Sequence, residues 1–394
     1  MAISVSASVT VVPFWRDPRV RSIAFQIIVL VALALFISFI IHNTATNLQK
    51  RGIASGFDFL WNISGFPISQ SLVHYELTST YGRVLTVGIL NTLLVSAIGI
   101  VLATLIGFVV GILRLSQNWL IAKLAAVYVE TLRNIPLLVQ CFFWYFAILG
   151  SLPGPRESLS IAGSFLLNKR GMYMPGLIPE SGFSVVLGAL AVGCIGAFMI
   201  ARWARRRQMA TGQQFPVVRT GIALVFGLPI VAALLTGVPW YWEYPTLKGF
   251  NFAGGWSVQP EFLALLVALT MYTAAFIAEI VRAGIMAVSH GQTEAAYALG
   301  LRARQTTRLI IIPQALRVII PPLTSNYLNL MKNSSLGVAI AYPDVVSVFA
   351  GTTLNQTGQA VECISITMAF YLIVSLSISA VMNWYNRRIA LVER

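Results

Sequence analysis

GQTEAAYALGLRARQTTRLIIIPQALRVIIPP, residues 291–322, is the one polar, basic stretch of any length in the second half of an otherwise very apolar chain. Residues 292–299 are good helix-forming sequence. Gly300 can adopt positive φ and stop that helix. Residues 303–312 predict a second short helix, and Pro313 lacks the N–H that would continue the ladder unbroken. Two short helices joined at a glycine follow, and a side chain at position 300 is expected to tilt them apart. Arg302, Arg304, Arg308 and Arg317 assign the pair to the cytoplasmic side of a membrane, because Lys and Arg concentrate in cytoplasmic loops.

The membrane follows from composition. The chain has 394 residues, 57% hydrophobic and only 10% charged, with mean hydropathy +0.78. A soluble domain carries about 25% charged residues, so the expected class is an all-α polytopic membrane protein. The net charge of +14 would suggest nucleic acid in a soluble protein. Here the basic residues flank apolar runs and act as topology signals, so no nucleic-acid partner is expected. Cys141, Cys194 and Cys363 lie in apolar stretches without CxxC spacing, and His42, His74 and His290 are far apart. Neither set forms a ligand pattern, so no metal or cofactor is expected.

Working outward from the opening stretch, about eight spans emerge. Arg16, Arg19 and Arg21 precede an uncharged run over residues 22–41, long enough to cross roughly 30 Å of hydrocarbon. Residues 43–81 are polar with scattered aromatics and read as external. Further spans are expected at 84–113, 136–149, 183–201, 220–239, 262–288, 318–334 and 363–384. Gly99, Ala103, Gly107 and Gly111 recur every four residues and give the second span a small-residue packing face. Residues 337–359 are mixed and are expected at the outer surface. Most of the 27 Lys and Arg residues then fall on one side, among them Arg202, Arg205, Arg206 and Arg207, which places both termini inside. Residues 1–81 form a membrane anchor and external segment. Residues 82–388 form the main transmembrane domain, with a two-helix segment inserted at 152–258 and the polar loop at 290–316.

Some charged and polar residues fall where lipid is expected. Glu130 and Arg133, and again Glu279 and Arg282, are three apart near cytoplasmic span ends, so each couple shares a helix face and can pair. A structural ion pair and a gate both fit. Asn326, Asn329 and Lys332 recur at helical steps; intramembrane polar groups face a bundle interior or an aqueous cavity. Lining of a translocation path and interhelical hydrogen bonding both fit that face.

The opening stretch resembles the EAA loop of ABC importer permeases: Glu294, Ala295 and Ala296, three residues, Gly300 and Leu301, then Ile310, Ile312 and Pro313, with Ile312 where the family usually has Leu. Residues 128–140, YVETLRNIPLLVQ, and residues 278–285, AEIVRAGI, are similar to the two ExxR segments of polar amino-acid permeases. Residues 331–336, MKNSSL, are similar to their Lys-Asp-Thr-Ser-Leu, with Asn333 and Ser334 in place of Asp and Thr. The chain is identified as a member of the histidine/glutamine-type permeases, closest to the branch serving general L-amino-acid transport. The resemblance implies an ABC type-1 core of five helices in a bacterial inner membrane. It implies a permease subunit that translocates L-amino acids, a second homologous permease subunit, two copies of an ABC ATPase and a periplasmic binding protein. In that family the EAA loop docks in the ATPase. None of Lys50, Lys123, Lys169, Lys248 and Lys332 follows a glycine, so this chain has no P-loop of its own. The alternatives are a secondary transporter or channel, which would show paired broken helices in internal repeats, and a polytopic enzyme. The 13 acidic residues and three histidines form no catalytic cluster, so no catalytic residue is assigned.

Overall fold

The computed structural model describes residues 18–50 and 55–389. Arg16 and the C-terminal Arg394 of the topology argument lie outside the described residues. Helix α1, Pro18–Lys50, carries the first apolar run, and none of its most apolar window is buried by the described residues. The loop that follows does more than touch the interface. Trp61 is exposed, but Phe59 is buried between the rings of Tyr81 and Phe349. The Gly56 N–H donates to the Glu362 carboxylate at 2.7 Å. Helix α2, Tyr81–Leu113, starts at Thr80, whose hydroxyl accepts from the Arg83 N–H.

Helix α3, Trp119–Asn134, is capped by the Asn118 carboxamide oxygen, which accepts from the N–H groups of Leu120 and Ile121. Pro136 pushes Ile135 into extended backbone and ends the helix. Helix α4, Leu137–Phe142, continues through a π-helical turn, Phe143–Leu149, and the unit bends by 106° from α3. The span expected at 136–149 is too short alone, at about 1.5 Å per residue, to cross 30 Å. Together with α3 it is long and apolar enough for one bent span. The described residues hold seven helices long and apolar enough to cross a membrane, or eight with this pair.

The insertion is not purely helical. Its polar flanks fold as strands β1 (Leu159–Ile161), β2 (Phe165–Asn168), β3 (Gly171–Met174) and β4 (Gly176–Pro179) before the hairpin, and β5 (Trp240–Glu243), β6 (Thr246–Lys248), β7 (Asn251–Ala253) and β8 (Trp256–Val258) after it. Between them run α5, Phe183–Thr211, and a return span of α6, Val217–Ile222, a π turn and α7, Leu228–Leu235. The strands before and after the helical hairpin join antiparallel. Met172 pairs with Val258 in a sheet of order β1-β2-β3-β8, and Gly176 pairs with Glu243. The hairpin is therefore an excursion from a strand platform, with Arg202 to Arg207 at its far end.

Helix α8, Pro260–Met286, opens with Pro at its first position, where the missing N–H costs nothing. It is the buried centre of the bundle. The small-residue face of α2 packs on it as expected. A Cβ built on Gly107 would lie 2.6 Å from Ile277 Cβ, and one on Gly111 would lie 2.7 Å from Val281 Cβ. Gly107→Val is expected to lower stability by about 1–3 kcal/mol through overpacking, read as a fall in Tm of the solubilised protein; an unchanged Tm would show that α2 and α8 do not pack this closely.

Helix α9 is His290–Ala298 and α10 is Ala303–Thr306. Pro313 does not end the second helix. A π turn at Thr307–Ile311 leads straight into α11, Ile312–Asn333, and the continuous span is Ala303–Ile340. The wider turn accommodates a residue that lacks an N–H and crowds the carbonyl four positions back. Residues 337–359 are not a surface segment either. Tyr342, Asp344, Val345 and Phe349 are fully buried. The segment passes over Gly88, where a Cβ would stand 2.9 Å from Val345 Cα. Asn91 donates to the Pro343 carbonyl at 2.9 Å, and the Thr92 hydroxyl accepts from the Val345 N–H at 3.0 Å. A π turn, Val346–Thr353, and α12, Leu354–Thr357, lead to the last span in α13, Ala360–Ile389.

Candidate coupling loop and translocation cleft

The loop between α8 and α11 is built by hydrogen bonds that only one backbone shape permits. Gly300 has φ +78°. Its N–H donates to the Tyr297 carbonyl at 2.9 Å, and the Leu301 N–H donates to the Ala296 carbonyl at 3.1 Å. Bonds three and five residues back form a Schellman motif, which satisfies the last carbonyls of α9. Ala296 is buried and Leu301 half-buried, so both belong to the motif's apolar side. A Cβ at Gly300 meets nothing within 4 Å, so the penalty on a side chain there is torsional and not one of contact. On the outer face Glu294 and Ala295 are exposed, as are Tyr297, Leu299 and Leu309. The Glu294 carboxylate has no ion-pair or hydrogen-bond partner among the described residues. Ile310 is half-buried within the π turn; Ile312 and Pro313 are exposed at its end. The sequence motif thus divides into residues that shape the loop and residues that present a surface.

The two ExxR couples behave differently. Glu279 pairs with Arg282, Oε1 to Nη2 at 2.5 Å, and its other oxygen accepts from Arg114 at the end of α2. The couple is therefore a triad that ties α2 to the last turns of α8, just before the coupling loop. Arg114 escaped the sequence reading because its partner is 165 residues away. Glu130 and Arg133 do not pair, contrary to expectation. Glu130 is exposed, and the Arg133 guanidinium lies over the Phe276 ring, 5.0 Å from its centroid. A neighbouring helix offers the cation an aromatic face that a surface carboxylate does not outbid.

Phe276 also lines a polar cleft of about 270 Å³ between α8 and α11, with Tyr272, Thr273, Asn326, Asn329 and Asn333. Asn326 spends one donor on the Pro322 carbonyl of its own helix, at 3.1 Å. Arg133 touches Phe276, which also lines the cleft, but is not itself part of the lining. Lys332 does not line this cleft. It is exposed beside it, and Asn333 takes the inward position. Tyr272, Thr273 and Phe276 were read only as part of an apolar span; the signal that could have found them is the aromatic pair at four-residue spacing, whose rings stand 4.9 Å apart. Among the described residues no group of three or more His, Cys, Asp or Glu could hold a metal ion.

Comparison with known proteins fits this geometry. The chain is 53% identical over 378 residues to the general L-amino acid transport system permease protein AapQ of Rhizobium johnstonii, covering 96% of this chain and 94% of that one. It is 42% identical over 409 residues to the glutamate/glutamine/aspartate/asparagine transport system permease protein BztB of Rhodobacter capsulatus, covering 96% of each. The model of the binding-protein-dependent transport system inner membrane component matches residues 99–391, from the middle of α2 through the last helix. With a fold of at least seven membrane-length helices and a loop shaped to present Glu294, this chain belongs to the family of binding-protein-dependent transport system inner membrane components.

Proposed function

We propose that this multi-pass membrane protein is the permease subunit of an ATP-driven importer of L-amino acids. It works with a second homologous permease subunit, two copies of an ATPase and a periplasmic binding protein in a bacterial inner membrane. The observation that carries the reading is the coupling loop: a surface of Glu294, Tyr297, Leu299 and Leu309 held on a rigid Schellman turn, inside a match to transport permeases. The names of the relatives, with their amino-acid substrates, support the cargo. The cleft at Asn326, Asn329 and Asn333 is the stretch of translocation path this subunit lines. Lys332 beside it faces the second permease. The Arg114–Glu279–Arg282 triad carries movement of the loop into α2 and α8. Proteoliposomes holding the chain with its co-purifying subunits and binding protein are expected to take up labelled L-glutamine only when ATP is supplied. Uptake without ATP would instead identify a secondary transporter.

In this arrangement both termini, the coupling loop and Arg202–Arg207 are cytoplasmic, and the strand platform is external. In a background without native cysteines, Arg205→Cys is expected to resist an impermeant thiol reagent in intact cells and react after permeabilisation. Labelling of intact cells would invert the topology.

A further inference from the structure

The strand platform carries a site of its own. Where it meets the start of α8 there is a cleft of about 490 Å³, within the roughly 300–1,000 Å³ of small-molecule sites. Three charged side chains line it: Lys169, Arg170 and Glu261. None of them pairs with another, and the ion pairs among the described residues lie elsewhere. Arg170 gives one donor to the Phe250 carbonyl at 3.0 Å. The Lys169 ammonium has no hydrogen-bond or ion-pair partner among the described residues. Glu261 accepts one hydrogen bond from the Tyr145 hydroxyl at 2.9 Å, on Oε1, and its second oxygen has no partner among the described residues.

The backbone that carries the two cations is held in place. Lys169 and Arg170 form the two-residue turn of the β2–β3 hairpin, flanked by the pair Asn168 and Gly171. Asn168 is fully buried; its amide donates to Ser158 Oγ at 2.9 Å and its oxygen accepts from the Arg170 N–H at 2.8 Å. Gly171 has φ +119° and lies so close to the Val258 carbonyl that no Cβ would fit. The turn is therefore clamped to the strand that runs into α8, one turn before Glu261. The floor is also tied: the Tyr173 hydroxyl donates to Asn251 Oδ1 at 2.7 Å, and its ring packs on Phe252.

A cleft lined by two cations and one anion, each with unused hydrogen-bonding capacity, complements a ligand with a carboxylate at one end and an ammonium at the other. We propose that this cleft binds a free α-amino acid as its zwitterion, the α-carboxylate on Lys169 and Arg170 and the α-ammonium on Glu261. It is a holding site on the external platform, separate from the cleft at Asn326 and Asn329. The choice of an amino acid, and the placing of the platform outside, rest on the importer reading above; the charge arrangement stands on its own.

Site-specific acylation tests it. The purified complex containing the full chain, in nanodiscs, is treated with an amine-acylating reagent, and labelling of Lys169 is read by peptide mass spectrometry relative to Lys248. Lys248 is exposed in β6 of the same platform and corrects for reagent consumed by the ligand's own amine. L-glutamine at about ten times its Kd is expected to lower the Lys169 to Lys248 ratio roughly tenfold, by occupancy of the site. N-acetyl-L-glutamine, which has no ammonium, should leave the ratio unchanged. Glu261→Gln, which keeps an acceptor for Tyr145, should abolish protection by L-glutamine. An unchanged ratio with L-glutamine would overturn the proposal. Equal protection by the N-acetyl compound would also overturn it, leaving a site for anions only. ATP-driven uptake by the same preparation separates the two readings: uptake without protection removes the platform site alone, and protection without uptake removes the importer alone.

Discussion

Gly300→Val is expected to leave the permease in the membrane at normal levels and to abolish substrate-stimulated ATP hydrolysis in the assembled complex. Position 300 sits at φ +78° with open space around a Cβ. A valine there clashes with its own backbone, at about 1–2 kcal/mol for any left-handed L-residue and more for a branched one. The chain escapes by leaving that conformation. Both capping bonds, Gly300 to Tyr297 and Leu301 to Ala296, then break, and α9 loses its fixed angle to α10. The exposed surface at Glu294 and Leu299 no longer fits a partner while the spans remain packed. Gly300→Asn is the control, because asparagine tolerates the left-handed region, and should retain most of the stimulation. Normal stimulation by the valine variant would mean that this loop does not couple the ATPase to the spans.

Breaking the charge triad has the next largest expected effect, on stability. Glu279→Gln removes the one carboxylate between Arg114 and Arg282 and leaves two guanidinium groups facing each other at the end of α8. A fully buried pair broken this way costs about 3–5 kcal/mol. These side chains are 14% to 30% exposed, so about 1–3 kcal/mol is expected after screening. Membrane levels of the variant should fall several-fold at the growth temperature. Glu279→Gln combined with Arg282→Gln should recover part of that loss, since one repulsive charge is gone. Wild-type levels and Tm in the single variant would show that the triad does not hold α2 to α8.

What the sequence discloses here depends on how local the physics is. The Gly300 turn and the four-residue repeat of Gly99 to Gly111 are set by backbone freedom and periodicity within a few residues, and each appears as expected. The glycine conformation and its torsional penalty on a side chain were legible; the open space around that position was not. The π turn before Pro313 was not legible, because a proline after an apolar run reads as a stop unless the preceding turn widens. Arg133 was assigned to the nearest carboxylate, Glu130, and found instead on Phe276, over a hundred residues away in α8. The polar cleft and the triad share that character: their members come from α2, α8 and α11, and only packing brings them together. The buried course of residues 341–353 hid for the same reason. Its mixed composition matched a surface loop, whereas its Pro343 carbonyl and Val345 N–H are held by Asn91 and Thr92.

That last pairing has a consequence for biosynthesis. The Asn91 amide and the Pro343 carbonyl are separated by 252 residues along the chain. At roughly 5–20 residues per second, translation needs about 13–50 s to make the second partner after the first has emerged. During that interval α2 is in the membrane with Gly88 uncovered and the Asn91 and Thr92 side chains without the backbone they later hold. The bundle therefore closes only after synthesis has reached Pro343. A chain truncated before Pro343 keeps most of its spans yet lacks the wedge that locks the first of them.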